Sequence, residues 1–489
     1  MFIYTRIQRW LPLVTRGAGA AALRIFALLV LAVPRVGLAG DNNKPSAASA
    51  APVPRTWGTY QRPFAVDSPW NSRPVNPKLG TQVIPTAQFQ PSFEDGFFST
   101  GVFLGKAGDG PVTVTGVPVG PGLYDADAET FHDTTIPHWP ADVVPAGGSD
   151  GHADIVDTAS GIIHSFYQLR HQNGQWVASQ YAWTPLDGRG WGDPAHYFQG
   201  SRATAVTPTA GLIRTQEISD GDSMYRHALS ISLTQNGLAA NPAYVFPATS
   251  ADFNAAATNT GFAPEGALMM LPYSFDIRQI TDPAVRKVAQ TLKTYGAYVV
   301  DRNQGVPFSV YAEIGSGLSR LNASTANDME KIRLALRQVL SVKSWLDGNG
   351  HAVTPDMNLN LLSMRGTWQT QSGPGQGQYE TLAQALLIPA TSAETTLVNF
   401  SNRGLTNLLW ATPIVGTSYR LTAITTGNAK FRLRLYDLST SAMLYDSGLL
   451  QGGQSVTFPW PAQNAKATLQ AVSGVGLASS VSGELVRAD

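Results

Sequence analysis

The chain of 489 residues contains no cysteine. No disulfide can brace it, so its stability has to come from core burial alone, which a chain of this length can supply in two or three domains. Net charge is missing as well: 34 lysines and arginines balance 34 aspartates and glutamates. Without a net field there is nothing to steer the protein to nucleic acid or anionic lipid, and both partners are set aside. Charged residues of either sign reach only 14%. After the first forty residues no apolar run approaches the length of a membrane span. Glutamate is scarce in the middle of the chain, where Glu217 stands alone between 130 and 264.

What is present begins with an N-terminus of secretory type. Arg6, Arg9, Arg16 and Arg24 precede the short apolar run from Ile25 to Val33, and Gly37-Leu38-Ala39 offers a small-residue cleavage site. Residues 1–39 therefore read as a signal peptide, and the mature chain as secreted or periplasmic. Residues 40–55, rich in Ala, Pro and Ser, read as a disordered linker. Beyond them, 47 glycines, 32 prolines and many aromatics indicate a turn-rich, mainly β fold. Such a composition is typical of secreted carbohydrate-active proteins, and it also fits adhesins and coat proteins.

The expected architecture is a jelly-roll or sandwich-like catalytic domain over 56–390 with two packing helices, followed by a C-terminal β-sandwich over 391–489 that could bind carbohydrate. The runs 152–157 and 162–168 flank a Thr-Ala-Ser-Gly turn, and Asn173-Gly174 is a strong hairpin signal between 170–172 and 175–177. That meander sets His164 opposite Trp183 and Phe166 opposite Tyr181. One helix should begin at Asp282-Pro283 and stop at Gly296, followed by a buried strand 297–301; a second should run from Asn327 to Leu346. In the C-terminal part Lys430 to Tyr436 alternates strictly, and Trp410, Tyr419, Tyr445 and Trp460 are candidate sugar-stacking aromatics.

Seven of the eight histidines, His132, His138, His152, His164, His171, His196 and His227, fall between 132 and 227, and the chemistry is placed there. A hairpin around Asp220-Gly221 would bring Arg214, Gln216, Tyr225 and His227 to one face; a register slip of one residue would substitute Glu217. Such a face suits β-elimination on a uronic-acid polymer. Arg214 or Gln216 would neutralise the carboxylate, His227 or Tyr225 would take the proton, and no cofactor or metal would be required. His152, His164, Trp183, Trp191, His196, Tyr197 and Arg202 are candidate walls of the substrate cleft.

In residue types this face resembles the active face of jelly-roll polysaccharide lyases such as alginate lyases. The segments Asp67 to Asn71, Gly147 to Asp157, Ala210 to Arg214 and Arg226 to Leu229 resemble a family of secreted bacterial β-rich proteins of unassigned function, over about 60 to 310. That likeness implies one catalytic-sized β domain and supplies no activity. Glu217 and His227 are spaced farther apart here than in that pattern.

Three other readings compete. A glycoside hydrolase would pair Glu217 with Asp154, Asp157, Asp187, Asp193 or Asp222. A metal could sit among His138, Asp142, His152 and Asp154. A non-catalytic protein could simply adhere to glycan. Gly147 to Gly151 formally matches a nucleophile elbow at Ser149, but a strand rather than a helix should follow it.

Overall fold

The computed structural model describes residues 56–488 apart from 118–121, 129, 194–195, 320–322, 355–359, 375–377, 382 and 402–412. The expected signal peptide and linker lie outside the described residues, as does Trp410. Among the described residues no helix is long and apolar enough to cross a membrane.

The fold is mainly β, with packing helices and a C-terminal β-sandwich. The meander forms in the expected register. Asn173 and Gly174 both take positive φ, 52° and 81°, as a tight two-residue turn requires, and Gln172 pairs with Gln175 across it. His164 lies opposite Trp183 and Phe166 opposite Tyr181. These strands belong to a six-stranded sheet in the order Gly101–Gly105, Ala153–Asp157, Ile162–Tyr167, Gln180–Pro185, Tyr124–Asp125, Thr130–Phe131. Two of its pairings are parallel, Gly101–Gly105 with Ala153–Asp157 and Gln180–Pro185 with Tyr124–Asp125.

A second, seven-stranded sheet has the order Lys78–Leu79, Arg337–Ser341, Leu268–Met270, Ala297–Asn303, Leu229–Thr234, Phe308–Tyr311, Ser92–Glu94. The helix Pro283–Thr294 covers one face of it. Asp282 caps the helix by accepting from the Ala284 and Val285 amides at 2.9 and 3.2 Å, and proline fits the first turn because no amide is needed there. Its stripe Val285, Val288 and Leu292 is fully buried with Ile231, Met269, Val299 and Val310 of the sheet. Each such side chain contributes roughly 1.5–3 kcal/mol relative to exposure.

The other helix spans Ala323–Ala335, beginning and ending earlier than expected. Residues 337–346 instead form two short strands. Gln338 pairs with Met269 and Arg337 with Met270, which supplies the Leu268–Met270 edge with a partner. Sheet pairing outweighs the helical spacing of Leu336, Val339 and Leu340 there.

The Ala297–Asn303 strand contains a bulge. Ile231 pairs with Val299 and Ser232 with Asp301, so Val300 is the extra residue. Val299 faces the helix-covered core, whereas Val300 belongs to the core on the other side of the sheet. Asp301 contacts Arg202 and Tyr311, and Tyr311 belongs to that same second core. The bulge thus turns two consecutive side chains to one face and keeps the carboxylate off the apolar helix side.

The C-terminal unit is a sandwich of two sheets. Its alternating strand Lys430–Asp437 sends Phe431, Leu433 and Leu435 inward as expected. The unit begins earlier than 391, because Gly366–Ser372 pairs within it and Leu362, Met364 and Trp368 join its core. Of the aromatics proposed to stack on sugars, Tyr419 and Trp460 are buried in that core, and Tyr445 stacks on Phe458 at 3.9 Å. Tyr419 and Trp460 are thus core residues, whereas Tyr445 stays half-buried.

Candidate functional site

A cleft of about 680 Å³ opens between the two large sheets, lined by the ends of strands and by the loops around 149–152, 201–203 and 252–253. It is large enough for sugar rings. Its walls carry Glu94, Asp150, Asp252 and Asp301 against Arg202 and Arg302, so the cleft is acidic on balance.

Two carboxylates meet at one backbone amide. The Arg302 N–H donates to Asp252 Oδ2 at 2.9 Å and to Asp301 Oδ1 at 3.0 Å. Their surroundings differ. Asp301 Oδ2 accepts from Arg202 Nη1 at 2.9 Å and from the Tyr311 hydroxyl at 3.3 Å. Asp252 is pushed up to about 7, by burial first and by the neighbouring Asp301 charge second, although Arg302 works in the opposite direction. Behind it, fully buried Glu265 accepts from the Asp252 amide through Oε2 at 3.0 Å, while Oε1 has no partner. Burial and the Asp252 charge hold Glu265 well above the usual carboxylate range.

Arg202 is itself buried, stacked 3.7 Å over the Tyr311 ring, and its Nε and Nη2 have no hydrogen-bond partner among the described residues. His152 Nδ1 lies 3.2 Å from the Phe166 carbonyl and 3.1 Å from Ser201 Oγ. A carbonyl can only accept, so Nδ1 carries the proton and Nε2 keeps its lone pair. Burial, aided by the Arg202 charge, pushes His152 down to about 3, and the ring is neutral. Tyr167, whose ring lies 5.8 Å from His152, is raised above its ordinary value by burial.

Of the candidate site residues taken from sequence, His152 and Arg202 line this cleft, as does Ser149 of the elbow-like Gly147–Gly151 stretch. The expected hairpin at 211–229 does not form; Thr215–Glu217 is a turn of 3₁₀ helix. Arg214, Glu217 and His227 do converge, as a half-buried ion network at a small surface pocket of about 40 Å³ that Gln61, Arg62 and Arg226 also line. Glu217 Oε2 accepts from the Arg214 amide at 2.9 Å and from His227 Nε2 at 3.2 Å. Arg214 Nε donates to Glu313 at 3.2 Å, and Nη1 donates to the Tyr60 carbonyl at 3.0 Å. Burial disfavours charge on His227, yet the Glu217 carboxylate outweighs it and raises the imidazole pKa; His227 in turn lowers Glu217. Tyr225 is buried beneath Lys287, and Gln216 is exposed. As it stands the pocket is too small to enclose a sugar ring.

The remaining candidates pack. His164 Nδ1 is 2.9 Å from the Tyr181 hydroxyl, and burial lowers its pKa to about 4. Trp191 is sealed against Trp70 at 5.3 Å and donates to the Thr204 carbonyl. Trp183 packs against His196, ring centres 4.0 Å apart and tilted by 31°. His196 Nδ1 lies 3.1 Å from Asp127, whose other oxygen accepts from the Tyr197 amide and from Arg365. That cluster joins the C-terminal sandwich to the rest of the chain. The suggested metal ligands are separated: His138 bonds Asp157 at 2.9 Å, whereas Asp154 is sealed by Thr207 and Thr209. Among the described residues, no three His, Asp or Glu side chains are grouped to hold an ion. Of the aspartates proposed as partners for Glu217, Asp157 and Asp222 are committed to His138 and Arg226 instead.

Sequence reasoning missed Asp252, Asp301, Arg302, Glu265, Tyr167 and Tyr311. One signal was available: Asp301 and Arg302 end the apolar run Ala297 to Val300, an abrupt change from buried strand to paired charges.

No family model and no curated protein matches this chain. Among solved structures, it overlaps accessory secretory protein 1,2 and 3 of Streptococcus pneumoniae at 10% identity and TM-score 0.16, over 26% of this chain and 100% of that one. A structure titled for CBM4 structure and function overlaps at 18% identity and TM-score 0.16, over 25% of this chain and 93% of that one. A Streptococcus pneumoniae fucose binding module overlaps at 12% identity and TM-score 0.16, over 28% of this chain and 100% of that one. Overlaps this slight define neither fold nor activity.

Proposed function

We propose that this chain is a secreted glycoside hydrolase acting on a neutral glycan in the cleft between the sheets. The observation that carries the reading is the Asp252–Asp301 pair: two carboxyl groups sharing one amide donor, one held by arginine and tyrosine, the other poised near 7. Glycoside cleavage needs that asymmetry, with a protonated acid for the leaving oxygen and an anion facing the charge that develops at the anomeric carbon. Asp252 fills the first role and Asp301 the second. The Tyr167 ring lines the cleft, and Phe98 and Phe253 offer apolar faces to a sugar at its rim.

Elimination on a polyuronate has one observation in its favour, that His152, Tyr167 and Arg202 share this cleft. Against it, the cleft is acidic, and Arg202 already spends one nitrogen on Asp301. A screen of neutral and uronate polymers decides between the two. The hydrolase releases reducing ends from a neutral glycan without gaining the ultraviolet absorbance of a conjugated double bond. Absorbance gained on a polyuronate, still present in Asp252→Asn, would overturn the proposal.

A further inference from the structure

We infer that the substrate is an oligomeric glycan whose rings lie along a track leading one way from the carboxyl pair to the edge of the seven-stranded sheet, so that cleavage is selective for chain length. The inference rests on the hydrolase reading and goes beyond it. Asp301 pairs with Ser232, Ser232 with Ser309, and Ser309 with Ser92. One row of residues therefore crosses four neighbouring strands and ends on Ser92–Glu94, the last strand of that sheet. All four side chains line the cleft. Neighbouring strands lie about 4.8 Å apart, so the row is roughly 14 Å long, the reach of several sugar rings rather than one. In the other direction stands Glu265, fully buried behind Asp252.

Alternation along three short strands builds this floor. Ile231, Leu233, Phe308, Val310 and Phe93 enter the helix-covered core, which leaves Ser232, Ser309 and Ser92 on the opposite face. Serine is small enough to keep the floor low, where a leucine would fill it. Its hydroxyls are held in place: Ser92 Oγ lies 3.1 Å from Ser309 Oγ, and Asn303 Nδ2 donates to Ser232 Oγ at 3.0 Å. The outer end of the row is aromatic. Glu94 Oε1 accepts from the Gly96 and Phe98 amides, both at 3.1 Å, which turns the chain after the edge strand and sets the exposed Phe98 ring at the cleft wall. A ring bound there stacks on the phenyl face. A short substrate held at Asp252 and Asp301 does not extend to it, whereas a longer one does.

The test uses the full chain with cello-, xylo-, manno- and malto-oligosaccharides from disaccharide to hexasaccharide, together with the same lengths of the glycan that the reducing-end screen identifies. On the series that wild type cleaves, kcat/KM should rise about tenfold or more from disaccharide to hexasaccharide, the gain expected from a stacked ring. Ser92→Leu fills the outer end of the row, and Phe98→Ala removes the aromatic face from an exposed loop. Each should lower the hexasaccharide-to-disaccharide ratio of kcat/KM several-fold, whereas general damage to the fold would lower both values alike. A wild-type ratio near unity, or a ratio that survives in either variant, would overturn the inference while leaving the hydrolase reading in place. Failure to cleave any glycan would overturn both.

Discussion

At the residue scale, the argument turns on environment rather than residue type. Asp252 and Asp301 are the same side chain placed in different surroundings, and the difference is testable. Asp252→Asn and Asp301→Asn should each lower kcat/KM by about 10²–10⁴ or more, measured as reducing ends released. Because Asp252 must be protonated to act, wild-type kcat/KM should fall as pH rises through about 7. The same shift has a sign for stability. A carboxyl whose folded value is raised contributes fully below its ordinary value of 3.8 and loses that contribution as pH rises through about 7. Asp252→Asn should therefore lose less Tm than wild type between pH of about 4 and about 8. The His227–Glu217 pair behaves in the opposite sense at its acidic end. Its contribution is fullest between the ordinary values 4.5 and 6.5, fading below as Glu217 protonates and above as His227 deprotonates. His227→Ala should accordingly lower Tm most near pH of about 6 while leaving glycan cleavage unchanged. The sequence reading brought Arg214 and His227 together through a hairpin that does not form, and admitted Glu217 only in a slipped register. The ion network in which Arg214, Glu217 and His227 meet was not legible, because Glu313 and Tyr60, about a hundred and a hundred and fifty residues away, complete it.

At the element scale, local chemistry was read well wherever local forces decide. The Asn173-Gly174 turn, the Asp282-Pro283 helix start and the alternation at 430–436 all fold as their residues require. Asp282→Ala should cost about 1 kcal/mol in urea unfolding and leave kcat untouched, since the cap lies on the helix-covered side of the sheet. Long-range pairing was not legible. Residues 337–346 carry helical spacing but serve as strands because the Leu268–Met270 edge takes them as partners. The bulge at Val300 is the more consequential case. No side chain announces it, since Val300 reads as an ordinary strand residue, yet without it Asp301 would face Val299 and Val310 instead of the cleft.

At the scale of the whole molecule, the histidine-rich window proved to divide among several jobs. His138 and His164 support one sheet, His196 helps bind the C-terminal sandwich, His227 neutralises Glu217, and only His152 reaches the cleft. A sequence shows how many imidazoles there are but not which share a groove, because the sheets that bring 152, 202, 252 and 301 together are assembled from distant strands. The C-terminal sandwich has its own core and is tied on through Asp127, His196 and Arg365. Arg365→Ala should therefore split the calorimetric unfolding into two transitions, whereas a single unchanged transition would show that the junction does not depend on this contact. The account as a whole stands on Asp252 and Asp301. Its most direct measurement is the release of reducing ends from a panel of neutral glycans by wild type, Asp252→Asn and Asp301→Asn side by side. Release by wild type that both variants lose, with their circular dichroism unchanged, is the expected result; release that survives in either correctly folded variant would contradict the account.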